Sequence, residues 1–225
     1  MTKVRHISYV RYLFFKADHE WRRLSGIEKD HAKSQFVSVI EESADRISIN
    51  SYNLVGTRSD ADFLLWQISP SISDLSNLAT GLRSTGLGKH LATPYSYLAM
   101  SRPSPYVEAH KHLGQTNQPG LIEPRGDQYL FVYPFTKTND WYQLPKESRQ
   151  QMMNEHFTIG HRYPSVKVHT TYSFGIDDQE FVLGFESDHP DDFLRLVMEL
   201  RESQARPYTL LDTPIFTCVK SSLKE

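Results

Sequence analysis

The sequence contains a single cysteine, Cys218, among 225 residues. A disulfide within the chain needs two thiols and a thiolate zinc site needs more, so a disulfide scaffold and a cysteine-rich zinc module are both excluded. Excess charge of either sign is also lacking. Lys and Arg number 25 against 27 Asp and Glu, for a formal net charge of -2, and the basic residues are scattered, so no nucleic-acid footprint is visible. No stretch approaches the roughly 18 uninterrupted apolar residues of a membrane-spanning helix. The start, Met1-Thr2-Lys3-Val4-Arg5-His6-Ile7-Ser8, has no apolar core of signal-peptide length. A cytoplasmic protein is expected, not integral to a membrane and without nucleic acid as a partner. A Gly-rich phosphate loop, a His-Glu-x-x-His zinc motif and a Gly-x-Ser-x-Gly elbow are absent as well.

Aromatic residues are abundant, with 12 Phe and 12 Tyr, enough for a heavy core or for the wall of a flat apolar pocket. In the second half Tyr129, Phe131, Tyr133 and Phe135 alternate with Leu130 and Val132, the pattern of a strand covered on both faces. Leu144-Pro145-Lys146-Glu147 is a helix start with Pro145 at the first helical position. Beyond it Met152, His156, Ile159 and Tyr163 recur at helical steps, which turns His156 inward with the apolar stripe. A strand over 167–174, a tight turn at 175–178 and a strand over 180–185 make a hairpin. A helix from about Pro190, with Phe193, Leu196, Val197 and Leu200 on one face, and a last strand over 213–219 complete the order βαββαβ.

The first half repeats that order, with strands over 6–15, 47–55, 62–68 and 95–100 and helices over 27–44 and 73–84. The predicted fold class is therefore α+β: two ferredoxin-like βαββαβ repeats forming a dimeric α+β barrel within one chain. Residues 1–100 make the first repeat, 101–128 a Pro/Gly-rich connecting loop, and 129–225 the second repeat. A connection of that length is either a disordered linker or a functional loop covering a site, and His110 and His112 within it favour the second. In the second repeat an inward helical histidine can ligate iron and a tyrosine on a neighbouring strand can carry an oxidising equivalent, a pairing suited to haem chemistry.

An ordered series of short motifs carries a resemblance. Tyr133-Pro134-Phe135, Trp141-Tyr142, Leu144-Pro145, Arg149, Met153, Glu155-His156 and Tyr163-Pro164 continue through Phe174-Gly175, Phe185-Glu186, Asp192-Phe193, Leu200-Arg201 and Thr213-Pro214-Ile215-Phe216. These resemble the chlorite dismutase superfamily and, within it, coproheme decarboxylases of the actinobacterial type. The resemblance is dense in the second repeat and architectural in the first. It implies a haem pocket in the second repeat and a homopentamer.

By the resemblance, His156 is the metal ligand on the proximal side of the iron, with Gln204 or Glu202 near the position of the residue that orients it. Tyr133 matches the tyrosine that distinguishes the decarboxylases, where chlorite dismutases carry an aliphatic residue. Lys137 falls where a basic residue faces propionates, and Trp141 matches an aromatic beside the haem. His110, with His112 as the alternate, matches a distal histidine that deprotonates peroxide. His169 stands thirteen residues after His156, where chlorite dismutases carry an arginine over the iron. An imidazole cannot replace that forked, permanently charged group, so rapid chlorite decomposition is disfavoured, and His169 is expected either to assist peroxide chemistry at the cofactor or simply to face polar neighbours such as Thr171 and Ser173.

The implied activity is hydrogen peroxide-dependent oxidative decarboxylation of iron coproporphyrin III (coproheme) to haem b, with the iron porphyrin as substrate and cofactor together. The alternatives are a chlorite dismutase-like haem peroxidase and a non-catalytic haem carrier or sensor.

Overall fold

The computed structural model describes residues 7–106 and 122–223, so His110 and His112 lie outside the described residues. The chain divides into two compact units, Met1–Met100 with Thr217–Glu225, and Ser101–Phe216.

In the first unit the elements follow one another as β1 (Tyr9–Ala17), α1 (His19–Arg23), α2 (Gly26–Glu41), β2 (Ser48–Asn53), β3 (Phe63–Ser69), α3 (Ile72–Ser84) and β4 (Leu91–Met100). The antiparallel sheet runs in the order β4-β1-β3-β2. A capping box starts α2: the Ser25 hydroxyl accepts the Glu28 N–H while the Glu28 carboxylate accepts the Ser25 N–H. That helix buries Ala32, Phe36 and Ile40 at steps of four, and α3 buries Leu75, Leu78 and Leu82. Both stripes close over Leu13, Phe15 and Leu65 of the sheet. Each such burial contributes about 1.5–3 kcal/mol.

The second unit runs β5 (Tyr129–Lys137), α4 (Asn139–Gln143), α5 (Lys146–Gly160), β6 (Lys167–Tyr172), β7 (Phe181–Ser187), α6 (Pro190–Arg201) and β8 (Thr209–Leu211). Its strands are ordered β6-β7-β5-β8, so its first strand is again central and its second and fourth lie at the edges. Register pairs Phe131 with Phe185, Tyr133 with Leu183 and Phe135 with Phe181, which sets these six side chains on one face. Phe193 of α6 stacks on Phe131 at 4.0 Å between centroids, and Leu196 and Ile159 join the same apolar cluster. The fold is mixed α+β.

Two boundaries differ from the sequence reading. Pro145 caps α5 from outside, and the helix begins one residue later at Lys146. The closing strand of the second unit is the short β8, whereas the strand expected over 213–219 is β9 (Phe216–Lys220), which pairs Lys220 with Tyr52 and Val219 with Asn53 on β2. Pro214 lies between β8 and β9, and without an N–H to donate it interrupts the ladder.

Candidate functional site

Strand alternation on β5 sends Tyr133 to the helix side of its sheet, where it stacks on Phe185 at 5.6 Å and is only 9% exposed. Among the described residues no hydrogen bond reaches its hydroxyl. Burial pushes the phenol well above its ordinary range; Asp212 adds to this while Arg201 and Arg206 oppose it. The group therefore keeps its proton, and its O–H is uncommitted.

His156 lies on α5, one turn beyond Met152 and one before Ile159, whose side chain shares the apolar cluster with Tyr133. The helix packs on α6. The His156 ring is half-buried, and its Nδ1 is buried without a hydrogen-bond partner. Burial chiefly, and the nearby Lys137 cation, bring its pKa down to about 4, while Glu155 acts in the opposite sense. At neutral pH the imidazole is uncharged and has a lone pair to offer a metal. Gln204, expected to orient the ring, instead donates its backbone N–H to Glu155 Oε2 at 3.0 Å. Nothing among the described residues, Glu202 included, accepts from Nδ1.

Lys137 ends β5 with its ammonium 4.3 Å from the centroid of the Trp141 ring and 5.3 Å from that of Phe135. Burial brings its pKa down to about 8, and Arg206 acts in the same direction against Glu180. Trp141, buried on α4, has Tyr208 at 5.7 Å and Tyr106 at 6.5 Å between ring centroids. Tyr133, Lys137, Trp141 and His156 are thus brought to one side of the second unit. The sequence reading gave no role to Arg149, which shares the helical face of His156 two turns earlier and has a buried Nε without a partner. The seven-residue spacing to His156 was the available signal.

His169 is not brought to that side. In the ladder it stands opposite Gly184, which faces Val132, whereas Thr170 stands opposite Leu183, which faces Tyr133. Successive strand residues point to opposite faces, so His169 points away from Tyr133. It is buried there with Nε2 2.6 Å from Glu186 Oε2. Glu186 also accepts the Arg125 and Gly126 backbone N–H groups at 2.8 and 2.7 Å. Burial alone would raise the Glu186 carboxyl, but the bonds from His169, Arg125 and Gly126 outweigh it and hold the group below its ordinary range. The side chain thirteen residues beyond His156 therefore meets Glu186 on the face away from Tyr133. On Tyr133's face β6 presents Val168 and Thr170, neither of them a cation.

Among the described residues no group of three or more His, Cys, Asp or Glu is placed to hold a metal ion. A lone uncharged imidazole would instead suit a metal already held by a macrocycle, and Lys137 and Arg149 would be the cations on hand for that group's carboxylates.

These features define a mixed α+β protein with an uncharged helical imidazole on the side of its sheet that carries a buried tyrosine. The chlorite dismutase family pattern matches residues 29–221, and the chain belongs to that family. It is 28% identical over 221 residues to the coproheme decarboxylase of Mycolicibacterium smegmatis, covering 96% of this chain and 93% of that protein. The chlorite dismutase of Candidatus Nitrospira defluvii, solved in complex with imidazole, superposes with a TM-score of 0.86 at 25% identity over 96% of this chain and 92% of that one. A haem-binding protein of Thermus thermophilus shares the fold, with a TM-score of 0.84 at 21% identity over 97% and 94% of the two chains. Among the described residues no helix is long and apolar enough to cross a membrane.

Proposed function

We propose that the protein is a coproheme decarboxylase, converting iron coproporphyrin III to haem b with hydrogen peroxide as oxidant. The observation that carries this reading is Tyr133: a buried tyrosine, protonated and without a hydrogen-bond partner, on the side of the sheet that also holds the uncharged His156. Family membership and the similarity to a coproheme decarboxylase support it. In this reading each unit is a ferredoxin-like repeat and the protein assembles as a homopentamer.

Bound iron porphyrin, reacting with peroxide, supplies the oxidising equivalents. Each propionate that becomes a vinyl group loses carbon dioxide, one proton and two electrons, and one peroxide accepts two electrons as it is reduced to water. His156 would hold the metal through its neutral imidazole. Tyr133 gives up its phenolic hydrogen and then takes one from the propionate chain, the role of a relay rather than of a base. A phenol suits this because a phenolate has no hydrogen to surrender, and burial keeps Tyr133 from ionising. Lys137 and Arg149 meet propionate carboxylates, and Trp141 braces Lys137 from beneath. His110 of the connecting loop, or His112 in its place, accepts the proton of the incoming peroxide, work suited to a group titrating near neutrality.

The test is direct. Iron coproporphyrin III and limiting peroxide are added to the protein, and product masses are followed for loss of one and then two carboxyl groups. A wild type that binds the porphyrin firmly and forms no decarboxylated product would replace this reading with that of a haem carrier. Rapid oxygen release from chlorite would favour the peroxidase-like alternative.

A further inference from the structure

We propose that the first unit holds a second ligand site, a groove between α3 and the β1–β4 pair that takes a small anion with an oxyanion head and a short apolar body. The groove has a volume of about 350 Å³ and is lined by Arg11 and Arg83 with no Asp or Glu in its wall. Ligand pockets start at about that size. Leu75 and Leu98 give it an apolar floor, while Ser76 and Ser96 add hydroxyl donors beside the two guanidinium groups.

Arg11 is the residue that calls for an anion. It interrupts an otherwise apolar strand, Tyr9-Val10-Arg11-Tyr12-Leu13-Phe14-Phe15, on the face that carries the core residue Leu13. Its Nε and Nη2 donate to Gln67 Oε1 at 2.9 and 2.6 Å, and Nη2 also donates to the Leu75 carbonyl at 2.6 Å. Both partners are neutral, and Nη1 takes no part in these bonds. By contrast, the half-buried Arg58 and Arg206 each meet a carboxylate, that of Asp60 and that of Asp212. Desolvation brings the Arg11 pKa down to about 10, so it remains a cation at neutral pH.

Among the described residues Arg11 has no counter-charge, a costly state for a half-buried cation, and in a groove beside a second arginine it is an electrostatic trap for an anion. Gln67 and the Leu75 carbonyl fix the guanidinium plane, which leaves Nη1 to the groove. The head can be a carboxylate or a phosphate, because a guanidinium edge meets both in the same forked geometry. This site is separate from the one that contains Tyr133 and His156, and it does not depend on the decarboxylase reading.

The experiment titrates the full-length protein with hexanoate, inorganic phosphate and hexanol, followed by calorimetry and by amide shifts on β1 and α3. Saturable binding of hexanoate or phosphate in the millimolar range, absent for hexanol and weakened at high salt, is expected. Arg11→Met and Arg83→Ala should each weaken it by about tenfold or more. Arg83 is exposed, so the Arg83→Ala protein keeps the test open even where Arg11→Met disturbs folding. Binding of phosphate alone assigns a phosphate head, and binding of hexanoate alone a carboxylate. Failure of both anions to saturate, or binding unchanged in both variants, overturns the proposal.

Discussion

Tyr133 and His169 stand on opposite faces of one sheet. Thr170, Leu183 and Tyr133 form one row across β6, β7 and β5, and His169, Gly184 and Val132 form the next. The buried tyrosine therefore faces the helices, while the imidazole is held by Glu186 on the far side. An oxyanion bound between α5 and the sheet would have Val168 and Thr170 beneath it and no cation from β6.

Substitution at 169 should accordingly act on stability rather than on the iron. His169→Ala leaves Glu186 buried with its two backbone donors but without the imidazole, and losing a hydrogen bond to a buried carboxylate costs about 1.5–3 kcal/mol. Denaturant unfolding would measure that loss, with the spectrum of bound iron porphyrin unchanged. His169→Arg should gain no oxygen release from chlorite, because the new guanidinium would meet Glu186. Because the folded Glu186 pKa lies below its ordinary 4.5, its contribution is full above about that pH and is lost on further acidification.

His156→Ala is expected to remove the histidine-ligated iron spectrum and weaken porphyrin retention without lowering the thermal midpoint. The reason is the buried, partnerless Nδ1, whose removal relieves a desolvation cost. The pKa falls from 6.5 to about 4 on folding, so the unfolded chain binds the proton more readily. Stability from this group is therefore full above about 6.5 and declines as the pH drops toward 4. A variant retaining the wild-type iron spectrum would show that His156 is not the ligand.

Tyr133→Phe keeps the ring and its stack on Phe185 while removing the hydroxyl. With no hydrogen bond to lose, the variant should fold within about 1 kcal/mol of wild type and bind iron coproporphyrin normally. Peroxide should still be consumed, but product masses should show decarboxylation almost abolished. Haem b formation near the wild-type rate would assign the relay to another residue.

Lys137→Met should weaken iron coproporphyrin binding by about tenfold, or about 1.4 kcal/mol, while leaving a tetra-ester of the same porphyrin bound as before. With a pKa of about 8, the wild-type side chain loses its charge as the pH rises through that value. Affinity measured by absorbance titration should fall between about pH 7 and 9 in the wild type and stay level in the variant. A parallel decline in both would remove Lys137 from the carboxylate contact.

Much of the architecture was legible in residue order. Alternation along 129–135 and the four-residue steps of Met152, His156 and Ile159 depend only on strand and helix periods, which local sequence determines. The same periods marked His156 and Tyr133 as inward residues, and the motif series pointed to the family. Pairing between distant segments was less legible: nothing local told β9 to run along β2, because that pairing joins segments far apart in the chain.

The direction of His169 was decided by tertiary structure alone. Counting thirteen residues from His156 locates a position on β6, but the connection between α5 and β6 sets the register, and a shift of one residue turns a strand side chain to the opposite face. The same holds for His156 Nδ1 and for Arg11, which among the described residues lack an acceptor and a carboxylate respectively. Sequence determined that these groups exist and which element carries them. Whether an acceptor or a carboxylate stands within about 3 Å is set by how elements far apart in the chain pack, a distance that residue spacing does not encode.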